Sequence, residues 1–142
     1  MKVSEVMTSD VQTVTPDQSA REAANFMLRA EAGSIPVTEG NKVIGMITDR
    51  DIAVRGVAEG RGPDTPVREL MTDHIICAHQ DENVDDVARR MSEEQVRRLP
   101  VLDDDDQLCG IVSLGDLARE SRGEEAHEAL EGVSQPGGQH EQ

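Results

Sequence analysis

The chain writes one phrase twice. Residues 45–53 read GMITDRDIA and residues 110–118 read GIVSLGDLA. Both follow one frame: Gly, two apolar residues, Thr or Ser, two variable residues, Asp, a branched aliphatic, Ala. A duplication constrains the fold more than composition does, because both copies must form the same unit. The match extends well beyond the phrase. Met7-Thr8 pairs with Met71-Thr72, and Ser19 with Asn83. Ala20, Ala23, Ala24 and Met27 pair with Val84, Val87, Ala88 and Met91, and Ile35-Pro36-Val37 with Leu99-Pro100-Val101. The second copy has one extra residue near 103–106. After it, Gly45, Thr48 and Asp51 pair with Gly110, Ser113 and Asp116.

Each copy reads as strand, helix, strand, strand, helix. Residues 11–14 and 75–78 are short apolar runs before turn-like segments and are predicted strands. Ser19-x-x-Glu22 has the form of a capping box, and Asn83-x-x-Asp86 is a weaker version. The apolar residues that follow fall on one face of a helix. Residues 35–37 and 43–47 are predicted strands around the polar turn 38–42; residues 99–102 and 108–112 repeat this around 103–107. A last helix is predicted from Asp49 or Asp51, and from Gly115 or Asp116. One unit could not bury both faces of its own sheet. The expected fold is therefore α+β, two β-α-β-β-α repeats packed sheet to sheet about a pseudo-twofold axis. The first repeat spans 1–58, a Gly/Pro-rich linker 59–66 and the second repeat 67–122. Thr65-Pro66 reads as a helix start, Thr as cap and Pro at the first helical position. Residues 123–142 read as a tail, helical in pattern through Leu130 and then disordered.

Phe26 is the one aromatic residue, so the core must be aliphatic. The formal net charge is −15 at pH 7, and Lys2 and Lys42 are the only lysines. A surface this acidic repels nucleic-acid backbones, which bind through basic patches. No stretch approaches the ~20 apolar residues of a membrane span. The start, MKVSEVMTSD, lacks the apolar segment of a signal peptide, and the expected location is the cytoplasm. Cys77 and Cys109 are not in a CxxC pair. They read as buried free thiols in apolar strands, with a regulatory disulfide as the alternative.

Taken in order and twice over, these motifs resemble the cystathionine-β-synthase (CBS) domain family in its tandem arrangement, the Bateman module. The carriers are V-x-x-[VL]-M-T at residues 3–8 and 67–72, the apolar-Pro-Val strand, and the closing G-apolar-apolar-[ST]-x-x-D. TDRDIAVRG before a Gly/Pro linker is similar to small stand-alone CBS pairs of the hypoxic-response-protein type. The resemblance implies regulatory binding of an adenosyl ligand (AMP, ADP, ATP, S-adenosylmethionine or a dinucleotide) in clefts between paired units. It implies no obligatory cofactor and no catalysis. It also implies a homodimer, a flat disc of four repeats, with an unidentified protein as downstream target.

Thr48-x-x-Asp51 and its counterpart Ser113-x-x-Asp116 carry two readings. In one, they cap a helix and nothing more. In the other, the helix start and the hydroxyl hold a phosphate while the carboxylate takes the ribose hydroxyls. Val14, Ile35 and Val37, with Ile76, Leu99 and Val101, could wall an adenine, or simply be core. Backbone on either side of Pro36 and Pro100 could read the adenine edge. Thr13, Ser34, Ile75 and Cys77 complete the candidate ligand set. No aromatic is available for stacking, so affinity is expected to be micromolar or weaker, about −8 kcal/mol or less favourable. Arg50, and the adjacent Arg97 and Arg98, are candidates for phosphate, with surface ion pairs as the alternative. The second copy has Leu114-Gly115 where the first has Asp49-Arg50, so the two sites should be unequal.

Three rival readings remain. The acidic run 103–106 could hold a hard cation, but it lacks the spacing of a calcium loop and reads as a solvated turn. His74, His79, His127 and His140 lack the spacing of zinc ligands. No P-loop, nucleophile elbow or Cys/His constellation supports an enzyme. The third rival is a ligand-free dimerisation or docking module with vestigial clefts. Phe26, whose counterpart is Arg90, is either edge-of-core packing or a subunit contact.

Overall fold

Ala20, Ala23 and Met27 recur at helical spacing, and they form the buried face of helix α1 (Ala20–Ala30). The computed structural model describes residues 1–120. The expected tail at 123–142, with His127 and His140, lies outside the described residues. Ser19 Oγ accepts the Glu22 N–H at 3.1 Å, but the Glu22 carboxylate takes the Gln18 side-chain amide at 2.8 Å. Only half of the expected capping box forms. Helix α1 closes on Glu31 in the left-handed region (φ 52°), and the Ala32 N–H returns to the Met27 carbonyl.

The hairpin of strands β1 (Ser34–Glu39) and β2 (Lys42–Thr48) follows. Gly40 and Asn41 both have positive φ (56° and 69°), the backbone a two-residue primed turn requires. The strands therefore extend further into the predicted turn than the apolar pattern indicated.

The second copy repeats the design with strand β3 (Ala78–His79), helix α2 (Val84–Glu94), and strands β4 (Arg98–Leu102) and β5 (Leu108–Ser113). Helix α3 (Leu114–Glu120) comes last. Asn83 Oδ1 caps α2 through the Asp85 N–H at 2.8 Å rather than through Asp86. The acidic run forms the β4–β5 turn. Asp103 Oδ1 accepts the N–H groups of Asp105 and Gln107 at 2.9 and 3.0 Å, and Asp104, Asp105 and Asp106 are exposed. Among the described residues no group of three His, Cys, Asp or Glu side chains could hold a metal ion.

The compact bodies are not the sequence repeats. One unit comprises Met1–Val11 with the described chain from Ile76 onward, and the other comprises Gln12–Ile75. Each unit completes its sheet with the Met-Thr segment that opens the other copy. Thr8 and Ile111 exchange backbone hydrogen bonds at 2.9 Å, and Thr72 and Met46 do the same. In each unit the preceding turn, Val3–Glu5 or Val67–Glu69, is a 3-10 turn whose Val is fully buried. The repeat boundaries describe how the chain is written, and the units describe how it packs.

This exchange corrects two predicted strands. The runs at 11–14 and 75–78 straddle the two points where the chain passes between units, so only their ends can pair. Val14 alone bridges to Val37, and β3 begins at Ala78, paired in parallel with Val101 of β4. Two other expectations are corrected. Pro66 is the cap of the 67–69 turn rather than its first residue, and the Thr65 hydroxyl donates to the Gly62 carbonyl instead of capping. Cys77 lies before β3, not inside a strand, and both free cysteines are half-buried rather than buried.

Each unit has its own aliphatic core. Val3, Val87, Met91, Leu99, Val101 and Leu117 anchor the one containing α2. Val14, Met27, Ile35, Val37, Ile47 and Leu70 anchor the one containing α1, with Phe26 packed at its edge.

Candidate functional site

In each unit the same geometry brings the candidate polar residues together. The hairpin register sets the first residue of one strand beside the last residue of the other, Ser34 beside Thr48 and Arg98 beside Ser113. The chain then turns at once into a helix. In the α1 unit the Asp49 N–H donates to the Gly33 carbonyl; in the α2 unit the Leu114 N–H donates to the Arg97 carbonyl, both at 2.9 Å.

At these helix starts the reciprocal cap forms in both units. The Asp51 N–H donates to Thr48 Oγ1 and the Thr48 N–H to Asp51 Oδ2, both at 3.0 Å. The Asp116 N–H donates to Ser113 Oγ at 3.1 Å, and the Ser113 N–H to Asp116 Oδ2 at 3.2 Å. An ionised carboxylate offers about four acceptor directions, and the cap uses one. The copies then diverge. Asp51 opens a π-helical segment, Asp51–Gly56, and a 3-10 turn, Val57–Glu59; such segments recur at functional sites. Arg55 stands 3.9 Å from Asp51 Oδ1 and donates to the carbonyls of Leu70 and Met71. Asp116 opens an ordinary α-helix, with Arg119 on its Oδ1 at 2.6 Å. The Asp51 side chain is 8% exposed and the Asp116 side chain 20%.

The arginine candidates also separate. Arg97 is exposed and Arg98 half-exposed, and neither pairs with a carboxylate among the described residues. The ion-pair alternative therefore fails for both among those residues. Arg50 is exposed, and its N–H donates to the Asp49 carboxylate at 2.8 Å.

The aliphatic candidates sit deeper than an exposed wall would. Val14, Ile35, Val37, Leu99 and Val101 are core residues of their units, and Pro36, Pro100 and Ser34 are buried beside them. Thr13, Ile75, Ile76 and Cys77 are half-exposed.

Sequence reading missed one feature. Arg90 donates to the Cys77 carbonyl at 2.9 Å and forks onto the Glu82 carboxylate, which also accepts the His79 N–H at 2.8 Å. Burial alone would raise the Glu82 carboxyl. The Arg90 hydrogen bond, the His79 N–H and both neighbouring charges outweigh it and hold the group below its usual range. In the first copy Gln18 takes the matching turn position, its Oε1 accepting the Thr15 N–H at 2.9 Å. Phe26 replaces Arg90 there, with the Arg29 guanidinium 5.0 Å from its ring centre. The available signal was the paired change from Gln and Phe to Glu and Arg.

The CBS domain family profile matches residues 3–56 and 67–123. The chain belongs to the CBS domain family. CBS domain-containing protein YhcV of Bacillus subtilis is 42% identical over 93% of this chain and 94% of its own length. Hypoxic response protein 1 of Mycobacterium tuberculosis is 33% identical over 81% of each chain. Among solved structures, CBS domain protein TA0289 of Thermoplasma acidophilum superposes with a TM-score of 0.82 at 29% identity, covering 99% of this chain and 80% of its own. The CBS domain pair of protein MJ0100, in complex with 5-methylthioadenosine and S-adenosyl-L-methionine, gives 0.74 at 32% identity, covering 84% and 94%. CBSX2 in complex with AMP gives 0.73 at 26% identity, covering 83% and 93%. The CBS pair here is thus a tandem α+β fold whose relatives include proteins solved with adenosyl ligands. No helix among the described residues is long and apolar enough to cross a membrane.

Proposed function

We propose that this CBS pair is a regulatory sensor of an adenosyl ligand: AMP, ADP, ATP or an S-adenosylmethionine-type compound. The observation that carries the reading is the duplicated Thr/Ser–Asp pair, held rigidly by its reciprocal hydrogen bonds at the mouth of a hairpin in both units. Pre-set carboxylates suit a ribose diol, because a fixed acceptor loses little freedom on binding. Asp116 is the more exposed of the two, and the less tightly enclosed site is the readier one. Thr13, Ile75, Ile76 and Cys77, with backbone beside Pro36 and Pro100, supply the adenine contacts. The protein acts by binding, without catalysis and without an obligatory cofactor, in the cytoplasm. Its ligand shifts the population of a conformation that a protein target reads.

A second reading, docking without a ligand, is favoured by one observation. Leu28, Val54 and Val57, all of the α1 unit, are 76%, 47% and 73% exposed. Exposed aliphatic side chains of this kind fit the homodimer we also propose, and the two readings are compatible. Native mass spectrometry of freshly purified protein tests them together. A co-purifying adenosyl compound on a dimer supports the sensor. A dimer that carries no ligand and gains none from added adenosyl compounds supports docking alone.

A further inference from the structure

The six methionines of the chain sort by depth. Met27, Met46 and Met91 are buried in their units, and Met1 is exposed. Met7 and Met71 are half-buried, and they hold the same place in the two units. Each follows a 3-10 turn and returns its N–H to the turn's buried valine, Met7 to the Val3 carbonyl at 3.0 Å and Met71 to the Val67 carbonyl at 2.9 Å. Each packs against the edge of its unit's aliphatic core. Each also lays its sulfur on a buried glycine. Met7 Sδ would overlap a Cβ at Gly110, and Met71 Sδ would stand 3.0 Å from one at Gly45.

The threonine that follows each methionine closes the sheet. Thr8 exchanges backbone hydrogen bonds with Ile111, and Thr72 with Met46, all at 2.9 Å. Each closure is an isolated bridge, with no flanking ladder to hold it. The neighbouring thioether is therefore the packing that keeps the segment on its glycine. Leucine would fill a similar volume. Sulfur adds reactivity toward oxidants. Its lone pair attacks one oxygen of a peroxide, and an S–O bond forms as the O–O bond breaks. Sulfur gives up two electrons, the departing hydroxide takes the proton of the transferred hydroxyl, and water leaves. The product is a polar sulfoxide. The glycine face has no room for the added oxygen, and an aliphatic core offers it no hydrogen bond. The sulfoxide satisfies its oxygen by turning it to water, and that motion lifts the side chain off the glycine.

We propose that Met7 and Met71 are paired oxidation sites, at which a two-electron oxidant of the peroxide class releases each Met-Thr segment from its glycine. Oxidation opens the closing bridge of each unit and leaves the hairpin beneath it paired. Reduction of the sulfoxide reseals it. This holds whatever ligand the pair binds.

Hydrogen peroxide added to the full chain at neutral pH, read by peptide mass spectrometry and amide hydrogen exchange, tests it. Met7 and Met71 should gain an oxygen at least tenfold faster than Met27, Met46 and Met91. In step with that gain, exchange at the Thr8, Ile111, Met46 and Thr72 amides should accelerate tenfold or more, while amides within α1 and α2 keep their rates. Methionine sulfoxide reductases of both stereospecificities, with dithiothreitol, should restore the original rates. Met7→Leu should confine the response to Met46 and Thr72, and Met71→Leu to Thr8 and Ile111. Met7→Leu/Met71→Leu, which retains Met1 and both cysteines, should show no response. The order of oxidation and its reversal are read on wild-type protein, so they decide the matter even where a leucine variant does not fold. Oxidation of Met7 and Met71 no faster than of the buried methionines overturns the proposal. So do sulfoxides there that leave the four amides unmoved, and an acceleration that survives in the double variant.

Discussion

The side chain of Met7 lies across the face of Gly110. A Cβ at position 110 would overlap Met7 Sδ and stand 3.0 Å from the Thr8 carbonyl oxygen. Gly45 meets Met71 and Thr72 in the same way, with the Thr72 carbonyl oxygen 2.7 Å from a Cβ there. The glycine of each phrase is thus the landing place for the Met-Thr of the other copy. The repeat is closed by exchange.

Gly45→Ala should therefore destabilise more than Gly110→Ala. At 45 the obstacle is backbone, which cannot step aside, whereas at 110 much of it is a flexible thioether. Overpacking of this kind costs about 1–3 kcal/mol. Urea denaturation should place Gly45→Ala at the upper end, and Met7→Ala should recover part of the loss in Gly110→Ala. The reverse order, or no recovery, would contradict the assignment.

Deleting residues 1–8 should loosen the α2 unit and spare the α1 unit. The deletion removes Val3 from the core and strips the β5 edge of its partner. Hydrogen exchange should speed up at Ile111 and its β5 neighbours. Amides of β1 and β2 should keep their protection. Equal loss in both units would be inconsistent with separate cores.

The Glu82–Arg90 clamp should make stability depend on pH. The folded-state carboxyl lies below its usual range, so the unfolded chain takes up its proton first. The clamp's contribution is full above the unfolded value and is lost as pH falls through the folded one. Wild type should be more stable than Glu82→Gln at neutral pH, with the gap closing on acidification. A gap independent of pH would leave no role for the charge.

Cys77 and Cys109 should be slow nucleophiles. Burial raises the Cys77 thiol, and burial together with the Asp103 charge raises Cys109. Alkylation by iodoacetamide at neutral pH should lag behind that of free cysteine and gain speed only in alkali. Rapid labelling at neutral pH would contradict this.

The hairpins and both long helices were legible because their signals are local. The Ser19 and Asn83 caps, the spacing of Ala20, Ala23 and Met27, and the polar turns each speak within a few residues. The Thr48–Asp51 cap was legible for the same reason. The exchange of Met7 onto Gly110 was not, since no local pattern says which copy a Met-Thr will join, and the shrinking of the strands at 11–14 and 75–78 followed from it. The adenine wall could not be told from core by sequence: at Ile35 and Leu99, both buried, core and binding surface demand the same aliphatic residue types. That Arg97 and Arg98 have no carboxylate partner among the described residues needed coordinates, because a chain with so many carboxylates offers every arginine a partner on paper.

The account turns on Asp51 and Asp116 gripping a ribose. Asn keeps an acceptor for the helix cap and loses the carboxylate, so Asp51→Asn and Asp116→Asn should fold normally. Equilibrium dialysis with labelled adenosine is the direct measurement. Wild-type protein should bind, and at least one of the two variants should lose affinity tenfold or more. Full wild-type affinity in both would contradict the account.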